Sequence, residues 1–123
     1  MNGNNVIIDT NVVLYLLRGD LILQEFLREK DFSLSFITEL ELLGFRAITH
    51  EEESALRIFL DECAIFDVNK GIKQITIDLR RKYSLKLPDA LVAATAIFLG
   101  IPLLSADKQF SQVHDLTCIL YQP

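Results

Sequence analysis

Val6-Ile7-Ile8 sets three β-branched residues side by side with no polar residue between them. Strand side chains alternate between faces, so a strand with one wet face reads apolar–polar. This run is apolar on both faces and demands cover on both. The same habit returns in Ala64-Ile65-Phe66-Asp67-Val68, Ile101-Pro102-Leu103-Leu104 and Cys118-Ile119-Leu120-Tyr121, and Phe32-Ser33-Leu34-Ser35 also reads as a strand. Short doubly apolar strands joined by helical crossovers form a parallel sheet covered on both sides. The expected class is therefore α/β, as one domain over residues 1–123, a length at which a single core forms without disulfide or metal.

The segments between the strands carry helix signals. A largely apolar helix is expected from about Thr10 to Leu17. Gly19-Asp20 opens a second, running to about Lys30, and a third spans about Ile37 to Ile48. Thr49 with Glu52 three residues on is a capping box for a helix ending near Glu62. Asn69 caps a helix to about Tyr83, and Pro88 suits the first turn of one that ends at Leu99 with Gly100 as its stop.

Composition removes several classes. Half of the residues are apolar, with only 5 Gly and 3 Pro, which excludes disordered and fibrous chains. Cys63 and Cys118 stand apart in apolar stretches and read as buried, reduced thiols. Met-Asn-Gly-Asn-Asn lacks a basic leader segment. The longest uncharged stretch, Ala90 to Ala106, is interrupted by Gly100 and Pro102 and falls short of the roughly 20 residues of a membrane span. A soluble, cytoplasmic protein with no membrane contact is expected. The net charge of −5 argues at first against nucleic acid, because phosphate contacts need Lys and Arg.

In parallel sheets, sites form beyond the carboxyl ends of the strands. Asp9 ends the first strand and Asp107 lies just past Leu103-Leu104, so both fall at that edge. Each also reads as an ordinary helix N-cap or turn residue. Glu41 falls within the stripe Ile37, Leu40, Gly44 and Ile48, whereas Glu39 and Arg46 project to the opposite, wet side. A carboxylate on a buried stripe needs a partner; the other reading is an exposed stripe edge with Glu41 paired to a lysine. Asp89 opens the wholly apolar helix after Pro88, and complementing the helix dipole explains it equally well.

Taken together, the four carboxylates gather at one edge. Like charges at 4 Å repel by about 1 kcal/mol per pair even in water, so such a cluster calls for a cation. All-oxygen ligation suits Mg²⁺ or Mn²⁺ rather than Zn²⁺. A metal so held activates water and stabilises charge on a phosphodiester. Metal-dependent phosphoryl chemistry is the leading class.

The ordered segments Ile7-Ile8-Asp9-Thr10-Asn11, Thr38-Glu39-Leu40-Glu41-Leu42-Leu43-Gly44, Leu87-Pro88-Asp89-Ala90-Leu91-Val92-Ala93-Ala94 and Leu104-Ser105-Ala106-Asp107-Lys108-Gln109-Phe110 resemble the four signature segments of PIN domains. The likeness is to toxin ribonucleases of the VapC type, and it covers essentially the whole chain. It implies a three-layer, Rossmann-like fold with a central, mainly parallel sheet flanked by helices. It implies a Mg²⁺- or Mn²⁺-dependent endoribonuclease cleaving single-stranded or structured RNA, working as a homodimer and neutralised by a cognate antitoxin that occludes the site. By position, Asp9, Glu41, Asp89 and Asp107 would be the catalytic, metal-binding acids, with Thr10 or Asn11 and Ser105 holding those carboxylates by hydrogen bonds. The family often has a further acid two residues past the fourth, where this chain has Gln109, and the four acids that remain suffice for a single metal.

Half of the 12 basic residues, Lys70, Lys73, Arg80, Arg81, Lys82 and Lys86, lie in one stretch with Asp78 as its only acid. They form either a solvated helix face or a track for RNA backbone. Leu42 and Leu43 project away from the Glu41 stripe, into helix packing or a dimer or antitoxin surface. His50 and His114 read as surface residues. Other functions remain: a non-catalytic RNA- or protein-binding module on the same fold; another Mg²⁺-dependent phosphohydrolase, similar to aspartyl-nucleophile phosphatases but with Asn11 where those have a second Asp; and a signalling receiver domain, whose lysine near the last strand is missing from Ile119-Leu120-Tyr121.

Overall fold

The computed structural model describes residues 4–123. The leader reading of the first five residues therefore lies in part, at Met1, Asn2 and Gly3, outside the described residues. Five strands, β1 (Asn5–Ile8), β2 (Asp31–Ser35), β3 (Ala64–Phe66), β4 (Leu103–Ser105) and β5 (Cys118–Leu120), form one sheet in the order β3-β2-β1-β4-β5. All four pairings are parallel. The helices are α1 (Thr10–Leu17), α2 (Leu21–Leu27), α3 (Phe36–Leu43), α4 (His50–Asp61), α5 (Lys70–Lys82) and α6 (Leu87–Leu99).

The double cover demanded by Val6-Ile7-Ile8 is present. Ile7 and Leu103 point into a core shared with Ile72 and Leu79 of α5 and Ala90, Val92 and Ala93 of α6. Val6, Ile8, Leu34 and Leu104 point the other way, onto Val12, Val13, Leu23, Leu42, Leu56 and Leu60. Two cores back to back on one sheet make the three-layer α/β sandwich. Gly71 lets α5 approach α6 closely, since a Cβ there would meet the Phe98 ring at 2.5 Å.

Local chemistry sets three helix boundaries where the sequence says it should. Thr49 and Glu52 exchange both bonds of the capping box, Asn69 accepts from the Ile72 N–H, and Gly100 closes α6 at φ 68°, a left-handed conformation that favours glycine. Other expectations are corrected. Helix α2 stops at Leu27 rather than Lys30, α3 at Leu43 rather than Ile48, and β3 at Phe66 rather than Val68. β4 begins two residues late, and a 3-10 turn, Lys108–Gln112, follows it unforeseen. Cys63 and Cys118 are free thiols but only half-buried. His50 and His114 are exposed, as expected. Among the described residues no helix is long and apolar enough to cross a membrane.

Candidate active site

β1 and β4 lie side by side, with Ile8 opposite Leu104, so the residues that follow them emerge together. Asp9 continues the ladder by donating its N–H to the Leu104 carbonyl at 2.9 Å. It is 7% exposed. One carboxylate oxygen accepts the Thr10 N–H at 2.9 Å, capping α1, and the other accepts the Ser105 hydroxyl at 2.7 Å. Ser105 is fully buried at the end of β4, and its oxygen also accepts the Asp107 N–H at 3.0 Å. A single hydroxyl thus ties Asp9 to the turn that carries Asp107. The Asp107 carboxylate in turn accepts the Gln109 N–H at 2.9 Å and caps the 3-10 turn.

Glu41 reaches this edge from α3. Its Oε1 lies 2.6 Å from the Thr10 hydroxyl, which is also 3.2 Å from the Thr38 hydroxyl. Asp89 is half-buried in the first turn of α6. Burial pushes the Asp9 carboxyl above its ordinary value, against the hydrogen bonds from Ser105 and Thr10, and the charges of Glu41 and Asp107 push it further the same way. Asp89 is raised by burial and then by Asp9, Asp107 and Glu41, with Lys86 pulling back. The charges of Glu41 and Asp107 thus bear on both Asp9 and Asp89. Neither ion pair among the described residues, Arg28–Glu25 or Arg57–Glu53, involves any of the four.

The structure overturns the argument that singled out Glu41 by its helix face. Thr38 and Leu42, four residues apart, are the buried positions of α3. Leu42 turns toward Ile8 and Leu34, leaving Leu40 58% exposed and Glu41 itself exposed, while Glu39 is half-buried. The packing of Leu42 sets the face, so Glu41 sits at the exposed margin and is held by a threonine instead of a lysine. Leu42 therefore belongs to the core, and Leu43 is half-buried. Among the described residues, Asn11 bonds to none of the acids, and its buried Oδ1 has no hydrogen-bond partner. Sequence reasoning missed Thr38; its only signal was its place three residues before Glu41 on one helix. Among the described residues no three Asp, Glu, His or Cys side chains form a closed ligand set for a metal.

A groove of about 510 Å³ opens beside Thr10 and Glu41, walled by Leu14, Leu17, Leu42, Phe45 and Ile48, with Arg18 and Glu52 at its margin. The basic residues foreseen between Lys70 and Lys86 are all exposed, five on α5 and Lys86 as the N-cap of α6.

A parallel sheet between two helical layers, with acids at the carboxyl edge of β1 and β4, defines the class: a three-layer α/β domain with an acidic site. Residues 6–116 match the PIN domain, and the chain belongs to that family. Its fold is similar to a chain of a toxin–antitoxin complex from Klebsiella pneumoniae, at 26% identity and TM-score 0.81, covering 96% of this chain and 99% of that one. It is also similar to a chain of VapBC2 from Rickettsia felis bound to a DNA fragment from their promoter, at 20% identity and TM-score 0.85 over 96% and 99%. A chain of VapBC-1 from nontypeable Haemophilus influenzae aligns at 21% identity and TM-score 0.84 over 94% and 97%. No curated protein matches the chain in sequence.

Proposed function

We propose that this chain is a metal-dependent endoribonuclease and the toxin of a cytoplasmic toxin–antitoxin pair. The observation that carries the reading is the tying of Asp9, Asp107 and Glu41 to one sheet edge through Ser105 and Thr10, with Asp89 raised by the charges of all three. The donors are all oxygen, as a hard divalent cation prefers. The four acids would hold Mg²⁺ or Mn²⁺, which supplies water activation and charge stabilisation at a phosphodiester.

The chain's own groups do the rest. Ser105 fixes the carboxylate of Asp9 and the backbone of Asp107, and Thr10 fixes Glu41. The exposed cations of α5 offer contacts to RNA backbone. The apolar groove reaching Thr10 and Glu41 suits an antitoxin segment that closes the site, and membership of the PIN family with the Klebsiella likeness supports that partner. The working unit is a homodimer.

Purified protein is expected to cut single-stranded RNA with Mn²⁺ or Mg²⁺ and to stop with EDTA. Wild-type rates in Asp9→Asn and Asp89→Asn overturn the reading. Metal-independent retention of RNA without cutting points instead to a binding module.

A further inference from the structure

Thr38, Thr76 and Thr95 are buried threonines within helices. Thr76 and Thr95 satisfy their hydroxyls on the carbonyls of Ile72 and Leu91 in their own helices, both at 2.8 Å. Thr38 instead meets the Thr10 hydroxyl of another helix, at 3.2 Å. That hydroxyl also lies 2.6 Å from Glu41 Oε1. A hydroxyl has one proton to give, and an ionised carboxylate only accepts. Bonds from a hydroxyl to a carboxylate are the short, strong ones, and the shorter contact is to Glu41. Thr10 therefore donates to Glu41, and Thr38 donates to Thr10. With Thr38 at 0% exposure, no water competes for its proton.

We propose that Thr38 is a positioning residue of the acid site: its buried hydroxyl fixes the direction of the Thr10 hydroxyl and so holds Glu41 in place. Glu41 needs such a holder. It is exposed, has no ion-pair partner among the described residues, and turns about three side-chain bonds. The relay Thr38–Thr10–Glu41 joins α3 back to α1 at the carboxyl edge, so Glu41 is registered to Asp9 through Thr10, the next residue along the chain. The proposal rests on the metal-dependent reading of the site.

The test measures Mn²⁺ dissociation constants on the whole chain, by spin resonance of free Mn²⁺, beside RNA cleavage and urea unfolding. Groups that orient a metal ligand directly are typically worth about 10–100-fold in metal affinity or activity. Thr38 acts one bond further out, so Thr38→Val is expected to weaken Mn²⁺ about fivefold. Thr38→Ser, which restores the hydroxyl, is expected within about twofold of wild type, and Thr38→Val in a Thr10→Val background is expected to add nothing. Thr76→Val is the control for losing a buried hydroxyl elsewhere, with stability lowered and Mn²⁺ affinity unchanged. Should Thr38→Val fail to fold, Thr38→Cys keeps the volume with a weaker donor. Thr38→Val matching Thr76→Val in Mn²⁺ affinity, or Thr38→Ser as damaging as Thr38→Val, overturns the relay alone. Wild-type protein that binds no Mn²⁺ and cuts no RNA overturns the metal reading and the relay with it.

Discussion

Asp89 sits where stability and chemistry disagree. It gains a first-turn position at a helix N-terminus, worth about 0.3–1 kcal/mol at exposed sites. Against this stand its partial burial and the charges of Asp9, Asp107 and Glu41, which together outweigh Lys86 and raise its pKa. The charged form is thus disfavoured in the metal-free fold. Asp89→Asn is expected to raise the melting temperature in EDTA while abolishing RNA cutting, and a lowered melting temperature contradicts the repulsion argument. The opposite balance holds at Tyr121, whose hydroxyl donates to Asp20 at 2.6 Å. That bond holds Asp20 below its ordinary value and, with some burial, pushes Tyr121 up to about 12 from 10. The Tyr121 contribution is complete below pH 10 and is lost as pH rises from 10 through about 12. The Asp20 contribution is present above 3.8 and fades as pH falls through its lowered value. Urea unfolding of wild type and Tyr121→Phe between pH 9 and 12 checks this: the difference in midpoint is expected to shrink toward the alkaline end, and a constant difference speaks against it.

Elements were legible where their ends are decided locally. The capping box at Thr49, the Asn69 cap and the left-handed stop at Gly100 all depend on residues within one turn, and the sequence displays those. The face of α3 depends on what lies beneath it. The apolar set Ile37, Leu40, Gly44 and Ile48 makes an acceptable stripe only on a helix extended to Ile48, and Gly44 ends it first. Eight residues give too few turns for periodicity to choose between two adjacent stripes, so contact with Ile8 and Leu34 chose Leu42. The 3-10 turn after Asp107 was equally hidden, because it is held by side-chain and backbone bonds at a sheet edge. The face assignment has a direct check in urea unfolding. Leu42→Ala is expected to cost about 2–5 kcal/mol as a core deletion, and Leu40→Ala to stay within about 0.5 kcal/mol as a surface change. Equal costs would restore the original stripe.

At the scale of the molecule, charge is sorted by layer and edge. Asp9 and Asp107 could be assigned to one edge from the strand ends alone, because a parallel sheet brings all its carboxyl ends together. Glu41 and Asp89 had less local support, Glu41 resting on a helix-face argument that the structure overturns and Asp89 on its first-turn place in α6, and the resemblance to PIN domains pointed to the same two. The net charge of −5 conceals this sorting, with acids gathered at the site and half the cations between Lys70 and Lys86. The last turn of α5 carries Arg80, Arg81 and Lys82 at the helix C-terminus, where positive charge is favourable to the helix itself. That gives these residues a stability role whether or not RNA binds, so the two roles must be separated by salt. Each phosphate contact contributes about 0.7 to the slope of log affinity against log salt on a single strand. In an Asp9→Asn background that binds without cutting, replacing Arg80 and Arg81 together by Gln is expected to weaken binding of a single-stranded RNA. The slope should fall by about 1 to 1.5 if both arginines contact phosphate. Helix stability should drop only slightly, and the Mn²⁺ affinity of the same double replacement in the otherwise wild-type chain, measured without RNA, should hold. An unchanged slope would leave α5 as a solvated face and send the RNA path elsewhere, since neutralised phosphate contacts cannot disappear without releasing fewer counterions.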